Sequence, residues 1–185
     1  LYQQAIDLGA RFRYERALGI REDDEGKIVE TRKREYHCKA VILATGAKNR
    51  TLGIDREEEL TGKGVSYCAT CDGSFFKGQD VAVNGGGNTA LEDALYLADI
   101  CNRVYLIHRR DQFRGDAADV EKLKQKNNVE FVLNSNVTGL IGSDKLTAVE
   151  VTDKISGEKK ELPVSGLFVA IGQVPDNKAF ADEVD

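Results

Sequence analysis

Three consecutive glycines at residues 85–87 separate a short apolar run from a segment with helical periodicity. Residues 81–83 are typical of a buried strand, residues 88–98 carry apolar side chains at helical spacing, and residues 104–107 predict the next strand. A strand, helix and strand in this order make a parallel pair, because the helix returns the chain across the sheet. The sequence therefore predicts an α/β fold with a parallel sheet.

The other segments add strands and helices to this unit and describe a second one. Residues 1–10 predict the end of a helix, and residues 11–36 predict a β-meander or a hairpin around the turn at 22–26. The remaining predictions are a buried strand at 40–44, an interdomain linker at 47–64, a helix at 117–126, strands at 129–133 and 166–172, and a hairpin of 148–154 with 159–162.

The composition excludes several classes of protein. With 41% hydrophobic residues, 31% charged residues and a net charge of -5, the chain has no block of like charge for a nucleic-acid or membrane surface. No apolar run approaches the roughly 18 residues that span a bilayer, and no signal-peptide core is present, so we expect a cytoplasmic protein. The chain starts at Leu1 and contains no Met, so we expect a processed or truncated product.

The glycine turn has the pattern of a dinucleotide-binding site. Gly85, Gly87 and Ala90 form G-x-G-x-x-A between the predicted strand and helix. The glycines permit a sharp turn and a close backbone approach, and the helix amides and dipole favour a pyrophosphate. The alternative is that these glycines only close a turn.

A cluster of arginines follows the second strand, at the point where an NAD-binding unit usually has an acidic residue. Here the sequence is His108-Arg109-Arg110, with Arg114 shortly after. Guanidinium groups bind a 2'-phosphate through charge-assisted hydrogen bonds, so we expect NADPH rather than NADH. The alternative is a solvated surface cluster.

Two of the four cysteines, Cys68 and Cys71, are three residues apart. This spacing is typical of a redox dithiol, since the sulfurs can form a disulfide and exchange it rapidly. The alternatives are a passive structural pair and half of a zinc site, for which Cys38, Cys101, His37 and His108 are the remaining ligands. Because neighbours on a strand point to opposite faces, His37 and Cys38 make a poor ligand pair, and we expect no metal.

Asp72 directly follows the second cysteine of this pair. Its carboxyl group could carry protons as thiolates form and are consumed. The alternative is a turn residue, since Asp-Gly is a strong turn signal.

Together these motifs resemble those of the low-molecular-weight thioredoxin reductases, along nearly the whole chain. The matching segments are Cys-Ala-Thr-Cys-Asp-Gly at 68–73, Gly-Gly-Gly-Asn-Thr-Ala at 85–90 and His-Arg-Arg-Asp-Gln-Phe-Arg at 108–114. The resemblance implies a homodimeric flavoprotein with an NADPH domain inserted in its FAD domain. It also implies a three-layer, Rossmann-like NADPH domain at 51–177 with a parallel sheet and a β-meander, flanked by parts of the FAD domain at 1–50 and 178–185.

The resemblance also implies roles for particular residues. It makes Cys71 the sulfur nearer the flavin and Asp72 the proton carrier, and it places Ala44, Thr45 and Gly46 on the FAD side. The residues that it implies for NADPH are Gly85, Gly86, Gly87, Asn88, Thr89, Ala90, His108, Arg109, Arg110, Arg114, Ile171 and Gly172. The family's glycine-rich loop for the FAD phosphates is absent, so we expect this chain to lack most FAD contacts.

By this resemblance, electrons pass from NADPH through FAD to the Cys68–Cys71 disulfide and then to thioredoxin. The cysteines lie in the NADPH domain and cannot face both flavin and a protein substrate from one position, so we expect a rotation about the crossings at 47–52 and 172–178. Two alternatives are a flavoprotein reductase of a peroxiredoxin and an isolated NADPH-binding module without turnover. A ferredoxin-dependent flavin reductase of this fold would lack the dinucleotide signature.

Overall fold

The computed structural model describes residues 1–181, which form an α/β chain with two compact units. One unit is Leu1–Lys48 with the segment from Pro175 onward, and the other is Asn49–Val174. The helices are α1 (Tyr2–Asp7), α2 (Glu57–Leu60), α3 (Ala69–Asp72), α4 (Asn88–Ile100) and α5 (Ala117–Lys124), with 3-10 turns at Gly73–Phe76 and Lys178–Phe180. The strands are β1 (Ala17–Asp23), β2 (Gly26–Thr31), β3 (Glu35–Cys38), β4 (Ala47–Asn49), β5 (Val65–Ser66), β6 (Asp80–Gly85), β7 (Arg103–Ile107), β8 (Val129–Val132), β9 (Ser135–Ile141), β10 (Ala148–Asp153), β11 (Lys159–Pro163), β12 (Gly166–Ala170) and β13 (Gln173–Pro175).

The first unit contains a meander, one of the two predicted arrangements, as an antiparallel sheet of order β1-β2-β3. Its first turn is closed by Asp23, whose carboxylate accepts the N–H groups of Glu25 and Gly26 at 2.9 and 3.0 Å. Such local acceptors are why aspartate favours turns. Ile28 on β2 and Phe180 after β13 are buried in this unit.

The predicted buried strand at residues 40–44 is wrong. This run has no regular secondary structure, and the side chain of Ile42 is 91% exposed. An apolar run becomes a buried strand only beside another strand that satisfies its backbone groups. Within residues 1–181, no strand pairs with this run.

The segment predicted as an interdomain linker at residues 47–64 does contain the change of compact unit, between Lys48 and Asn49, but its expected loop-like character is wrong because it has regular structure. It contains β4, which pairs with β13, and the short helix α2, in which Leu60 is completely buried. The compact units change at Asn49 and Pro175, whereas the sequence placed the domain boundaries at residues 50 and 177. The assignment of these units to FAD and NADPH domains stays a prediction.

The second unit is organised around a five-stranded sheet of order β5-β12-β6-β7-β8. All of its neighbouring strands are parallel, and β6, α4 and β7 form the predicted crossover. Strands 129–133 and 166–172 were predicted at nearly the observed positions of β8 and β12. The α/β fold class is confirmed.

The two faces of this sheet are covered by different layers. Alternate residues of a strand point to opposite faces. Accordingly Val81 and Val83 pack with Leu97 of α4, whereas Ala82 packs with Val149 of β10 in the separate antiparallel sheet β9-β10-β11. The sequence predicted the β10–β11 hairpin but missed β9. No helix among residues 1–181 has the length and apolar character to cross a membrane.

Candidate functional site

The cysteine pair lies at the start of α3. Cys68 precedes the helix and its sulfur accepts the backbone N–H of Cys71 at 3.2 Å, which brings the two Cα atoms to 5.3 Å. The two sulfurs are joined in a disulfide. The pairing that the spacing predicted is therefore confirmed, and it occupies both sulfurs that a zinc site would need. Cys68 is half-buried, and Cys71 is exposed.

The other two cysteines lie elsewhere. Cys101 is buried, and burial raises the pKa of its thiol to about 11. Such a thiol is a small apolar side chain rather than a nucleophile. Cys38 is half-buried, and His37 beside it points to the exposed face of β3. No group of three or more His, Cys, Asp and Glu side chains within residues 1–181 could hold a metal ion.

Asp72 ends α3 and is half-buried. Its side chain makes no capping hydrogen bond to the 3-10 turn that follows, so the turn-residue alternative has no support in its contacts. Instead its Oδ2 atom accepts the hydroxyl of Ser66 at 2.6 Å, and that hydroxyl accepts the backbone N–H of Cys68 at 3.1 Å. Sequence analysis missed Ser66, since a lone serine at a strand end carries no pattern.

The three glycines of the turn have different surroundings. A Cβ on Gly85 would overlap the carbonyl oxygen of Ala170 and approach the Cβ of Ala90 at 2.7 Å. A Cβ on Gly86 would overlap the ring of His108, whereas a Cβ on Gly87 would meet nothing within 4 Å. The first two glycines therefore permit close packing of strand, helix and loop. The third leaves open space at the first turn of α4.

That open space lies at the N-terminus of α4. Gly87 precedes α4 without a side-chain cap, so the first N–H groups of a 13-residue helix face it without partners from the helix itself. Asn88 and Thr89 are exposed, and Ala90 is completely buried, so Ala90 offers its backbone rather than its side chain. These are the features by which helix N-termini bind the pyrophosphate of a dinucleotide.

The loop that carries the arginines is attached to the glycine turn through its backbone. The N–H groups of Arg114 and Gly115 both donate to the carbonyl of Gly86, at 2.7 and 3.2 Å. The N–H of Asp116 donates to the Oδ1 atom of Asn88 at 2.9 Å. Two segments that are 28 residues apart in the sequence are therefore held beside the same helix N-terminus.

The predicted arginine side chains remain available to a ligand. Arg109, Arg110 and Arg114 are exposed, and within residues 1–181 none of the three forms an ion pair with a carboxylate. Their positive charges lie near one another, since each of them contributes to lowering the pKa of His108. An anion beside this loop would therefore meet three unpaired guanidinium groups.

His108 has a different environment from the arginines that follow it. It is 5% exposed, its ring stacks on Phe113 with the centroids 5.3 Å apart, and its Nε2 atom lies 3.1 Å from the carbonyl oxygen of Gln112. Burial is the main cause that lowers its pKa, so the neutral ring is favoured. The ring of His108 thus packs directly against Gly86. Contact between His108 and a nucleotide stays a prediction.

The disulfide and the glycine turn lie at the same edge of the parallel sheet. Ser66 of β5 is paired in register with Phe168 of β12. Gly85 of β6 is paired in register with Ala170, which also belongs to β12. Because the three strands are parallel, the segments that follow them leave at one edge, where α/β sheets bind their ligands. Ile171 and Gly172 continue from β12 at this edge and are exposed.

The residues predicted on the FAD side lie in the first compact unit. Ala44, Thr45 and Gly46 are exposed and have no regular secondary structure. Gly46 has a φ of +77°, and its carbonyl accepts the N–H of Asp176 at 2.9 Å. These three residues form an exposed loop without a helix N-terminus or a buried polar group, so they do not constitute a flavin site by themselves.

A buried carboxylate, Glu57, supports the segment just before the cysteines and was missed from the sequence. Its two oxygens accept the N–H groups of Leu52 and Gly53 at 2.8 and 2.9 Å and the hydroxyl of Tyr67 at 2.7 Å. Burial, followed by this contact, raises the pKa of Tyr67 to about 12. Three successive glutamates at residues 57–59 gave no signal that one is buried, although helical periodicity with Leu60 could have shown it.

Known proteins with the same motifs match this chain along nearly its whole length. It is 40% identical to a thioredoxin reductase of Mycolicibacterium smegmatis over 183 residues, which are 99% of this chain and 59% of that protein. Its structure resembles thioredoxin reductases of Lactococcus lactis, with a TM-score of 0.84 and 35% identity, and of T. acidophilum, with 0.83 and 31%. These matches cover 96% and 98% of this chain and 59% and 60% of those chains.

The resemblance to thioredoxin reductases that the motifs indicate is therefore confirmed, and the chain spans less than two thirds of the length of these relatives. The family model for pyridine nucleotide-disulphide oxidoreductases matches residues 6–185. The name of this family combines a pyridine nucleotide with a disulfide, and this chain has a glycine turn of the dinucleotide-binding pattern and a disulfide at one edge of its sheet. The chain belongs to the pyridine nucleotide-disulphide oxidoreductase family.

Proposed function

We propose that this chain is the NADPH-binding, disulfide-carrying part of a thioredoxin-disulfide reductase. The observation that carries the proposal is the position of the Cys68–Cys71 disulfide and the glycine turn at Gly85 at one edge of the parallel sheet. The names of the relatives support thioredoxin as the substrate. NADPH supplies a hydride when bound, and FAD is the acceptor that the family implies.

The residues of the second unit fit NADPH. The space beside Gly87 and the first amides of α4 would hold the pyrophosphate, and Arg109, Arg110 and Arg114 would hold the 2'-phosphate. Among the described residues, this is the one glycine-rich turn at the start of a long helix, and we assign it to NADPH. The described residues therefore offer no second turn of this kind for the phosphates of FAD.

The cysteine pair performs the second half of the proposed reaction. In the reduced pair, one thiolate attacks the thioredoxin disulfide, forms a mixed disulfide and releases one thioredoxin thiolate. The second cysteine then attacks its neighbour, which restores the Cys68–Cys71 disulfide and releases the other thiolate. Two electrons pass to thioredoxin, and two protons follow the leaving thiolates. Asp72 is the proposed carrier of a proton.

The proposal also covers the location, the oligomeric state and the partners of the full-length protein. We propose a cytoplasmic homodimer whose protein partner is thioredoxin, with neither nucleic acid nor membrane as a partner. The absence of a block of like charge in the sequence supports the last point. A reducing compartment is also where a pair of cysteines this close serves catalysis rather than stability.

The proposed second half of the reaction can be tested without flavin. The chain is reduced with dithiothreitol, freed of the reagent and mixed with oxidised thioredoxin. We expect a rise in the fluorescence of reduced thioredoxin together with the loss of two thiols from this chain. A reduced chain that keeps both thiols in the presence of oxidised thioredoxin would contradict the proposal. An oxidised peroxiredoxin in place of thioredoxin tests the alternative substrate.

A further inference from the structure

Ser66 connects the backbone of the cysteine pair with the carboxyl group of Asp72. It is the last residue of β5 and is 5% exposed. Its Oγ atom lies 3.1 Å from the N–H of Cys68, 2.6 Å from Oδ2 of Asp72 and 3.3 Å from the carbonyl oxygen of Cys68. The hydroxyl therefore has three partners within hydrogen-bond distance.

These three contacts exceed what one hydroxyl can make in a single arrangement. A serine hydroxyl has one proton to donate and two lone pairs that accept. One lone pair accepts the N–H of Cys68, so the single proton has two acceptors, Asp72 and the carbonyl of Cys68. The contact with Asp72 is the shorter one, as expected for a hydroxyl that donates to a carboxylate.

The two acceptors correspond to two protonation states of Asp72. When Asp72 is a carboxylate, Ser66 donates to it. When Asp72 carries a proton, Asp72 donates to the second lone pair of Ser66, and the proton of Ser66 turns to the carbonyl of Cys68. No heavy atom has to move, and no buried polar group loses its partner in either state.

We propose that Ser66 is a positioning residue that holds Asp72 in place while Asp72 gains and loses a proton during reduction of thioredoxin. This inference rests on the proposed function and adds a residue to it. Ser66 itself does not exchange its proton with thioredoxin, since its hydroxyl only turns between two acceptors. The proton that Asp72 gives to a leaving thiolate is replaced from solvent.

The test is a double-mutant cycle on the reduced chain, measured as the single-turnover rate of thioredoxin reduction. We expect Asp72→Asn to lower this rate about a hundredfold, as for loss of a proton donor. Ser66→Ala should lower it about tenfold, as for loss of a charge-assisted hydrogen bond. If Ser66 acts through Asp72, adding Ser66→Ala to Asp72→Asn causes no further loss.

A structural role would give a different result. If Ser66 only supports the fold around the cysteines, Ser66→Ala lowers the rate by the same factor with Asp72 and with Asn at position 72, and this result overturns the proposal. Ser66→Thr keeps the hydroxyl and should react within about threefold of the wild type. The cycle decides the question even if the added methyl group of Thr disturbs this buried position.

A readout without thioredoxin separates this inference from the proposed function. In the oxidised chain, Ser66→Ala should shift the carboxyl carbon-13 resonance of Asp72, because the carboxylate loses its closest donor. Ser66→Thr should restore it. An unchanged resonance in Ser66→Ala overturns the inference. A shifted resonance in a chain that fails to reduce thioredoxin upholds the contact and contradicts the proposed function instead.

Discussion

The backbone N–H of Arg114 donates to the carbonyl of Gly86 across 2.7 Å. This hydrogen bond holds the arginine loop beside the glycine turn without using the side chain of Arg114, which stays exposed. The side-chain charges of the loop can therefore be removed while its backbone keeps its place, which tests the proposed specificity for a 2'-phosphate. A change of nucleotide affinity in such a variant can be attributed to the lost charges.

Replacing Arg109, Arg110 and Arg114 together by alanine should weaken NADPH far more than NADH. Each charge-assisted hydrogen bond contributes about 1.5–3 kcal/mol, so we expect a loss of at least a hundredfold for NADPH and a small loss for NADH. Calorimetric titration with both nucleotides measures the difference. Equal losses would contradict the assignment of the 2'-phosphate to this loop.

An exposed cation elsewhere provides the control for this experiment. Lys122 lies on α5 and faces Asp119 at 2.8 Å. Lys122→Ala removes a positive charge without touching the arginine loop, and we expect it to leave both affinities unchanged. A comparable loss in this variant would mean that net charge, rather than the loop, sets the affinity for NADPH.

The glycines at 86 and 87 form a matched pair for separating packing from binding. Gly87→Ala adds a methyl group in open space at the start of α4, at a φ of -97° that any residue adopts. We expect it to leave the melting temperature unchanged and to weaken NADPH and NADH alike, because the methyl group occupies the proposed phosphate position. Titration with both nucleotides and thermal unfolding provide the two measurements.

Gly86→Ala, in contrast to Gly87→Ala, should lower the stability of the chain. Its methyl group would overlap the ring of His108, so the loop has to move or the side chain has to leave its position. Overpacking of this kind costs about 1–3 kcal/mol, which a denaturant titration detects. The second change His108→Ala should restore part of the stability. A Gly86→Ala variant as stable as the wild type would show that this contact is not tight.

The sequence predicted the parts of the fold whose signals are local. The change from strand to helix periodicity around residues 85–87 indicated the crossover, and Ser156-Gly157 indicated the hairpin. The run at 40–44 was predicted wrongly because apolar character does not show whether a partner strand is present. At the site, the sequence identified the cysteine pair and the arginines by spacing.

The missed residues depend on contacts that spacing does not encode. Ser66 and Glu57 are buried polar groups whose partners are six and ten residues further along the chain, at Asp72 and Tyr67. His108 belongs to a run of charged residues, so sequence reasoning grouped it with the arginines, although it is buried beneath Gly86. Such pairs are determined by the fold and become visible only with it.

Replacing either cysteine of the pair by serine should abolish transfer of electrons to thioredoxin. With Cys68→Ser or Cys71→Ser the intramolecular disulfide cannot re-form, so no complete transfer is possible. Cys38→Ser is the matched control and should react as the wild type does, because Cys38 lies on β3 and its thiol hydrogen-bonds the carbonyl of Lys27 rather than either cysteine of the pair. Turnover that persists in either pair variant would exclude the dithiol mechanism.

Removing the carboxylate of Glu57 should destabilise the second unit. Glu57→Ala leaves two N–H groups and the hydroxyl of Tyr67 without their acceptor, at about 1–3 kcal/mol for each buried group that finds no other partner. We expect a total loss of about 3 kcal/mol or more in a denaturant titration.

The matched control for Glu57 is its neighbour on α2. Glu58 is exposed, so Glu58→Ala should change the stability by less than about 0.5 kcal/mol. Tyr67→Phe removes only one of the three contacts and should cost about 1 kcal/mol. Equal stability of Glu57→Ala and Glu58→Ala would show that the buried carboxylate does not hold this segment.

The burial of His108 predicts a loss of stability in mild acid. Burial, and after it the nearby charges of Arg110, Arg109 and Arg114, lower the pKa of His108 below its ordinary value of 6.5. Just below pH 6.5 the unfolded chain therefore binds a proton that the folded chain does not, and stability falls as the pH decreases through this window. His108→Gln should remove this part of the pH dependence.

The measurement is the melting temperature at about pH 7.5 and about pH 5.5, compared between variants. Asp93 acts in the opposite direction, since burial and the nearby charge of Glu92 raise its pKa to about 6 and favour the folded chain as a proton binds. The informative quantity is thus the difference between His108→Gln and the wild type, in which the contribution of Asp93 cancels. His37→Gln, at an exposed position, should behave as the wild type does. If the melting temperatures of His108→Gln and of the wild type fall by the same amount between the two pH values, the packing of His108 against Gly86 does not hold its ring in the neutral form.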